Sequence, residues 1–129
     1  MQPKLSVSQR PVLLVSHGDW LYAGALWRAF RRQGWRVRLL KGGPDLRRLV
    51  RLRPPTAAVL EADPVGESGW LTCAKLQWEQ PDLPIYLVAN QASAEKRRFA
   101  DFVGARRLLA RGLGARAVVD ELIGAAQTI

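Results

Sequence analysis

The chain has 129 residues, 48% of them hydrophobic and 24% charged, a balance that fits one compact domain and is too apolar for a disordered segment. Twenty Lys and Arg against eleven Asp and Glu leave a formal net charge of +9, which favours anionic partners: nucleic acid, an acidic membrane surface or an acidic protein. No apolar run is long enough to span a membrane, and the single cysteine, Cys73, rules out an internal disulfide.

Residues 1–10, "MQPKLSVSQR", lack the apolar core of a signal peptide and read as a polar tail. With the lone cysteine, this suits the cytoplasm. "PVLLVS" (11–16) then reads as a strand. Residues 20–33 read as a helix with Ala23, Leu26 and Phe30 inward, closed by Gly34. "WRVRLLKG" (35–42) alternates enough for a half-covered strand. Pro44 and Asp45 open the next helix, which buries Leu46, Leu49 and Val50 and stops at "RPP". "TAAVLEA" (56–62) is a third strand, apolar until Glu61 and followed by Asp63 and Pro64. A helix over 67–80 ends at Pro81, and "PIYLVAN" (84–90) is the fourth strand. Ser93 caps a helix running to Phe102 or Val103. "RRLLAR" (106–111) is the fifth strand, and a last helix over 115–126 turns Val118, Val119, Leu122 and Ile123 inward.

Five strand–helix units in strict alternation predict a single α/β domain over residues 11–126, with 127–129 as a short tail. Its architecture is a doubly wound, five-stranded parallel sheet of flavodoxin-like (βα)5 form. Both faces of such a sheet are covered, which accounts for the apolar central strands. Ligands of such sheets gather at the C-terminal strand ends. Ser16, His17, Asp19, Glu61, Asp63, Ala89, Asn90 and Arg111 all fall there.

The stretch "GARRLLARGL" (104–113), the helix "EKRRFADFVGA" before it and the Glu61–Gly69 spacing carry a resemblance to the receiver domain of bacterial response regulators. It extends over nearly the whole chain. In that family a Gly-Ala pair precedes an aromatic residue and then Lys-Pro-Phe. Here Gly104 and Ala105 remain, Leu108 replaces the aromatic, Arg111 the Lys, Gly112 the Pro and Leu113 the Phe. The family's phosphoacceptor Asp lies eight residues before a Gly that opens the third helix, which places Glu61 at the acceptor position; Asp63 fits less well. Ser16 and His17 stand where an acidic pair usually holds Mg²⁺, and Ala89 where a hydroxyl residue contacts the phosphoryl group.

Phosphoryl transfer rests on positioning and charge neutralisation, and Mg²⁺ needs oxygen ligands in near-octahedral array. The resemblance therefore implies a degenerate receiver, a pseudo-receiver. It would be a stand-alone, non-enzymatic signalling module needing no metal or other cofactor, independent of phosphorylation and acting by protein–protein contact. The partner is a signalling or assembly protein, or a second copy of the chain. Glu61 either pairs with Arg111 and locks one conformation or is a drifted position whose carboxylate is held by helix ends and water.

Other readings stay open. Ser16, His17 and Asp19 hold the residue types of a catalytic triad, but on one turn they cannot line up as nucleophile, base and orienter. A metal-dependent hydrolase would use His17, Asp19, Glu61 and Asp63. "GLGAR" (112–116) is a weak phosphate-cradle pattern. A nucleic-acid-binding module rests on charge alone, and weak, sequence-independent binding is expected.

The third helix offers a candidate interface. In the receiver register Trp70, Cys73 and Leu76 face the sheet, which leaves Leu71, Ala74 and Trp78 together outside. A rotated helix would instead bury Trp70, Ala74 and Trp78. Phe102 on the fourth helix is a further exposed candidate.

Overall fold

The computed structural model describes residues 9–40, 44–64 and 67–124. The expected tails (1–8 of the first, all of 127–129) and the end of the second predicted strand lie outside these residues. The elements run β1 (Val12–Ser16), α1 (Trp20–Arg32), β2 (Arg36–Leu39), α2 (Pro44–Leu52), β3 (Ala57–Glu61), α3 (Gly69–Glu79), β4 (Ile85–Ala89), α4 (Ala94–Phe102), β5 (Arg107–Ala110) and α5 (Gly114–Val119). A 3₁₀ turn, Arg111–Leu113, joins β5 to α5. The last helix does not stay α-helical: it continues as a π-helical turn over Asp120–Gly124.

The five strands form one parallel sheet in the order β2-β1-β3-β4-β5, the doubly wound arrangement predicted for the chain. Every residue of β3 and β4 is buried except Glu61, so their runs are continuously apolar rather than alternating. One face packs Leu14, Leu60 and Leu87 against Leu46 and Val50 of α2 and Cys73 and Leu76 of α3. The other packs Leu13, Val15 and Val59 against Leu26 and Phe30 of α1 and Val118 of α5.

Helix ends follow local chemistry. Asp19, Ser68 and Ser93 cap α1, α3 and α4 through side-chain oxygens that accept from backbone N–H groups of the first turn. Gly34 follows α1 at φ 85°, a left-handed conformation costly for other residues. Gly69 is required for a different reason. A β-carbon there would collide with the Glu61 carbonyl oxygen, so the start of α3 lies directly against the end of β3.

Helix α3 is apolar nearly all round, and its orientation differs from expectation at one residue. Cys73 and Leu76 are fully buried, and Trp70 packs partly against the same core. Leu71 and Trp78 are exposed, which rules out the rotated helix. Ala74, however, is not on the outer face: it is half-buried against the core, because it follows Cys73 and shares its side with Trp70.

Candidate functional site

Sheet order places the ends of β1 and β3 side by side, with Ser16 opposite Leu60 in register. β2 lies on one side of β1 and β3 on the other, so the connections leaving β1 and β3 diverge there and open a crevice. A hollow of about 660 Å³ lies at this edge, lined among others by His17, Trp20, Leu40, Glu61 and Asp63.

The polar groups around it are bound to one another. Glu61 Oε1 accepts from the Gly18 N–H at 3.0 Å. His17 Nδ1 accepts from the Asp19 N–H at 3.0 Å. The Asp19 carboxylate divides its oxygens: Oδ1 accepts from the Leu21 and Tyr22 N–H groups, while Oδ2 accepts from Arg111 Nη1 at 2.7 Å. Asp63 Oδ1 accepts from Trp70 Nε1 at 3.1 Å, tying the β3–α3 loop to α3.

The expected Glu61–Arg111 pair is therefore replaced by Asp19–Arg111. Asp19 must cap α1, which fixes its carboxylate at the helix start; α1 packs on α5, and this brings the turn after β5 within reach. Glu61, one strand further on, has its Oε1 taken by the β1–α1 loop instead.

The electrostatics follow. Hydrogen bonds from Tyr22 and Leu21, together with the Arg111 guanidinium, hold the Asp19 carboxyl below its ordinary range. Burial pulls His17 below 6.5, against the opposing pull of Glu61 and Asp19. Burial also pushes the Tyr22 hydroxyl up to about 12. The His17 and Tyr22 rings lie 4.9 Å apart.

The remaining predicted positions are apolar. Ala89 is buried and has no hydroxyl, and Leu108 is packed into the core where the receiver pattern has an aromatic residue. The receiver family implies Mg²⁺, and these residues do not fit it. Ser16 and His17 supply no carboxylate, and among the described residues no group of three or more His, Cys, Asp or Glu is placed to hold a metal ion. The four residues of the hydrolase reading are thus not brought together as ligands. Nor is there a triad, since the Asp19 carboxylate faces Arg111 and the α1 amides rather than the imidazole.

Sequence reasoning missed an aromatic cluster between α3 and α4. Trp70 and Phe99 have ring centroids 5.1 Å apart, and Phe99 stacks on Phe102 at 6.1 Å. A groove of about 540 Å³ beside them is also lined by Asp63, Lys96 and Arg98. Phe102 and Trp78 are 83% and 88% exposed, the most open aromatic side chains among the described residues. The spacing of Phe99 and Phe102 on α4 was the available signal.

The sequence matches no protein-family model and no curated protein. Solved structures match over most of this chain. A putative response regulator from Chloroflexus aurantiacus superposes with a TM-score of 0.82 at 20% identity, over 90% of this chain and 97% of that one. The Vibrio cholerae chemotaxis protein CheY4 gives 0.81 at 13% identity, over 89% and 98%. HP1043, an orphan response regulator of Helicobacter pylori, gives 0.77 at 11% identity, over 88% and 94%. The fold is that of response-regulator receiver domains.

Proposed function

We propose that the chain is a receiver-fold signalling module that acts by protein–protein contact and does not use a phosphoryl group. The carrying observation is the 2.7 Å Asp19–Arg111 contact. The cation at the position where the receiver pattern has its Lys is already neutralised by a carboxylate of the chain itself. Glu61, at the acceptor position, is occupied by the Gly18 amide. Ser16, His17 and Ala89 offer neither metal-binding carboxylates nor a hydroxyl, so no catalytic step is assigned to this edge.

With its switch chemistry replaced, such a module works through the surface it presents. Leu71 and Trp78 on α3 and Phe102 on α4 are the residues we assign to that contact, as exposed apolar side chains of the kind that anchor interfaces. The partner is a signalling or assembly protein, or a second copy of the chain.

Beryllofluoride with Mg²⁺ mimics a phosphorylated receiver and tests this reading. Amide NMR spectra should remain unchanged on addition. Shifts spreading from Glu61 through residues 107–113 would refute it.

A further inference from the structure

The net charge of +9 is not spread over the molecule. Residues 20–53 hold ten of the twenty Lys and Arg and one acid, Asp45, so this stretch accounts for the whole excess; the rest of the chain holds ten of each sign. The stretch folds as α1, β2 and α2. β2 is an edge strand, α1 packs on one face of the sheet and α2 on the other. The basic segments, separate in sequence, therefore wrap one edge of the domain.

Pairing sharpens the contrast. Elsewhere four cations have a carboxylate each, Lys75 with Glu67, Arg107 with Glu121, Arg111 with Asp19 and Arg116 with Asp120, while Arg10, Lys96, Arg97, Arg98 and Arg106 have none among the described residues. Around β2, Arg47 and Arg51 share Glu79 of α3. Among the described residues, Arg28, Arg31, Arg32, Arg38, Arg48 and Arg53 form no ion pair. At the start of β2 a hollow of about 290 Å³ is lined by Arg10, Arg31, Trp35, Arg36 and Val37, with no acid in its wall. The Arg31 guanidinium lies 4.8 Å over the Trp27 ring, and Trp35 packs edge-on against Phe30 at 5.2 Å, so both are held in place.

We infer that this β2 edge binds the phosphate backbone of nucleic acid, without reading base sequence, and that the hollow beside Arg10 and Arg31 seats one phosphate. Guanidinium forks match phosphate oxygens in a way that ammonium groups do not. Charge carried across two helices and a strand suits a duplex backbone, with about one charge per 1.7 Å of axis, better than the sparser carboxylates of an acidic peptide. This surface lies away from the Trp70–Phe99–Phe102 cluster and meets α3 at Glu79, which pairs with Arg47 and Arg51.

The test is fluorescence anisotropy of the full chain with labelled single-stranded and duplex oligonucleotides of two unrelated sequences, over a salt series. Binding should be similar for both sequences and weaken steeply with salt. The triple variant Arg28→Gln, Arg31→Gln, Arg32→Gln should bind at least about tenfold more weakly at low salt, with the salt slope falling by about 0.9 for each phosphate that is no longer neutralised. The control triple Arg98→Gln, Arg106→Gln, Arg116→Gln removes the same charge elsewhere and should weaken binding by less than about threefold. Should the first triple fail to fold, Arg48→Gln with Arg53→Gln on α2 asks the same question from the other face. Equal weakening by basic-edge and control variants would overturn the inference, as would no binding of either oligonucleotide at low salt. Competition by polyglutamate as effective as by oligonucleotide would assign the edge to an acidic protein instead.

Discussion

Asp19 and Arg111, 92 residues apart in sequence, meet at 2.7 Å across the C-terminal edge of the sheet. One Asp19 oxygen caps α1 and the other receives the guanidinium, so a single carboxylate joins the first helix to the turn after the last strand. Both side chains are partly exposed, and the pair works by fixing geometry more than by its energy. Asp19→Asn keeps an acceptor for the α1 amides and loses the charge; Asp19→Ala loses both. Melting temperatures should fall in the order wild type, Asp19→Asn, Asp19→Ala, and Arg111→Gln should match Asp19→Asn. Equal melting of wild type and Asp19→Asn would show that the charge pair contributes nothing.

His17, the only histidine, gives a pH signature. Its folded pKa is lowered from 6.5, chiefly by burial, so on acidification the unfolded chain takes up the proton first. Stability is therefore full above about 6.5 and declines below it, levelling off once pH passes the folded value. Asp19 acts in the same direction in a lower window: its contribution is present above 3.8 and is lost as pH falls through its depressed folded value. His17→Asn keeps an acceptor for the Asp19 N–H but does not titrate. Its melting temperature should stay flat from about pH 7 to about pH 5, where that of the wild type declines. Parallel declines would show that His17 is not the group responsible.

Gly69 tests how closely α3 approaches β3. With the Glu61 carbonyl standing where an added β-carbon would go, Gly69→Ala forces backbone to move. Chemical denaturation should show a loss of about 3 kcal/mol or more. Gly112→Ala, where nothing lies within 4 Å, should be nearly neutral. A neutral Gly69→Ala would mean that the helix start is not where it is described.

Much of this arrangement was legible in the sequence because it is set locally. Apolar runs bounded by Pro and Gly marked strands buried on both faces, and the Glu61–Gly69 spacing placed Glu61 at the end of the third strand; that Gly69 lies against the Glu61 carbonyl became visible only in the fold. The partner of Arg111 was not legible, since it depends on a tertiary distance between the start of α1 and the end of β5. Asp19, directly before Trp20, nevertheless carried the signature of a helix cap. The side of α3 that holds Ala74 was hidden because that helix is apolar nearly all round, so periodicity could not orient it. The basic segments are dispersed along the chain; only the position of β2 at the sheet edge gathers them.

Trp78, 88% exposed, separates contact from packing. Trp78→Ala should leave stability within about 0.5 kcal/mol of wild type. Self-association, followed by sedimentation velocity, or binding of an identified partner should weaken, and Phe102→Ala should act in the same sense. A loss of about 3 kcal/mol would mark a buried Trp and remove this residue from the interface.

The most direct test of the central claim is the intact mass of the chain after incubation with acetyl phosphate and Mg²⁺. The substitutions at Ser16, His17 and Ala89, and the Asp19 carboxylate on Arg111, predict an unchanged mass. A gain of one phosphoryl group, mapped to Glu61 or Asp63, would contradict it and return the chain to the phosphorylated receivers whose fold it has.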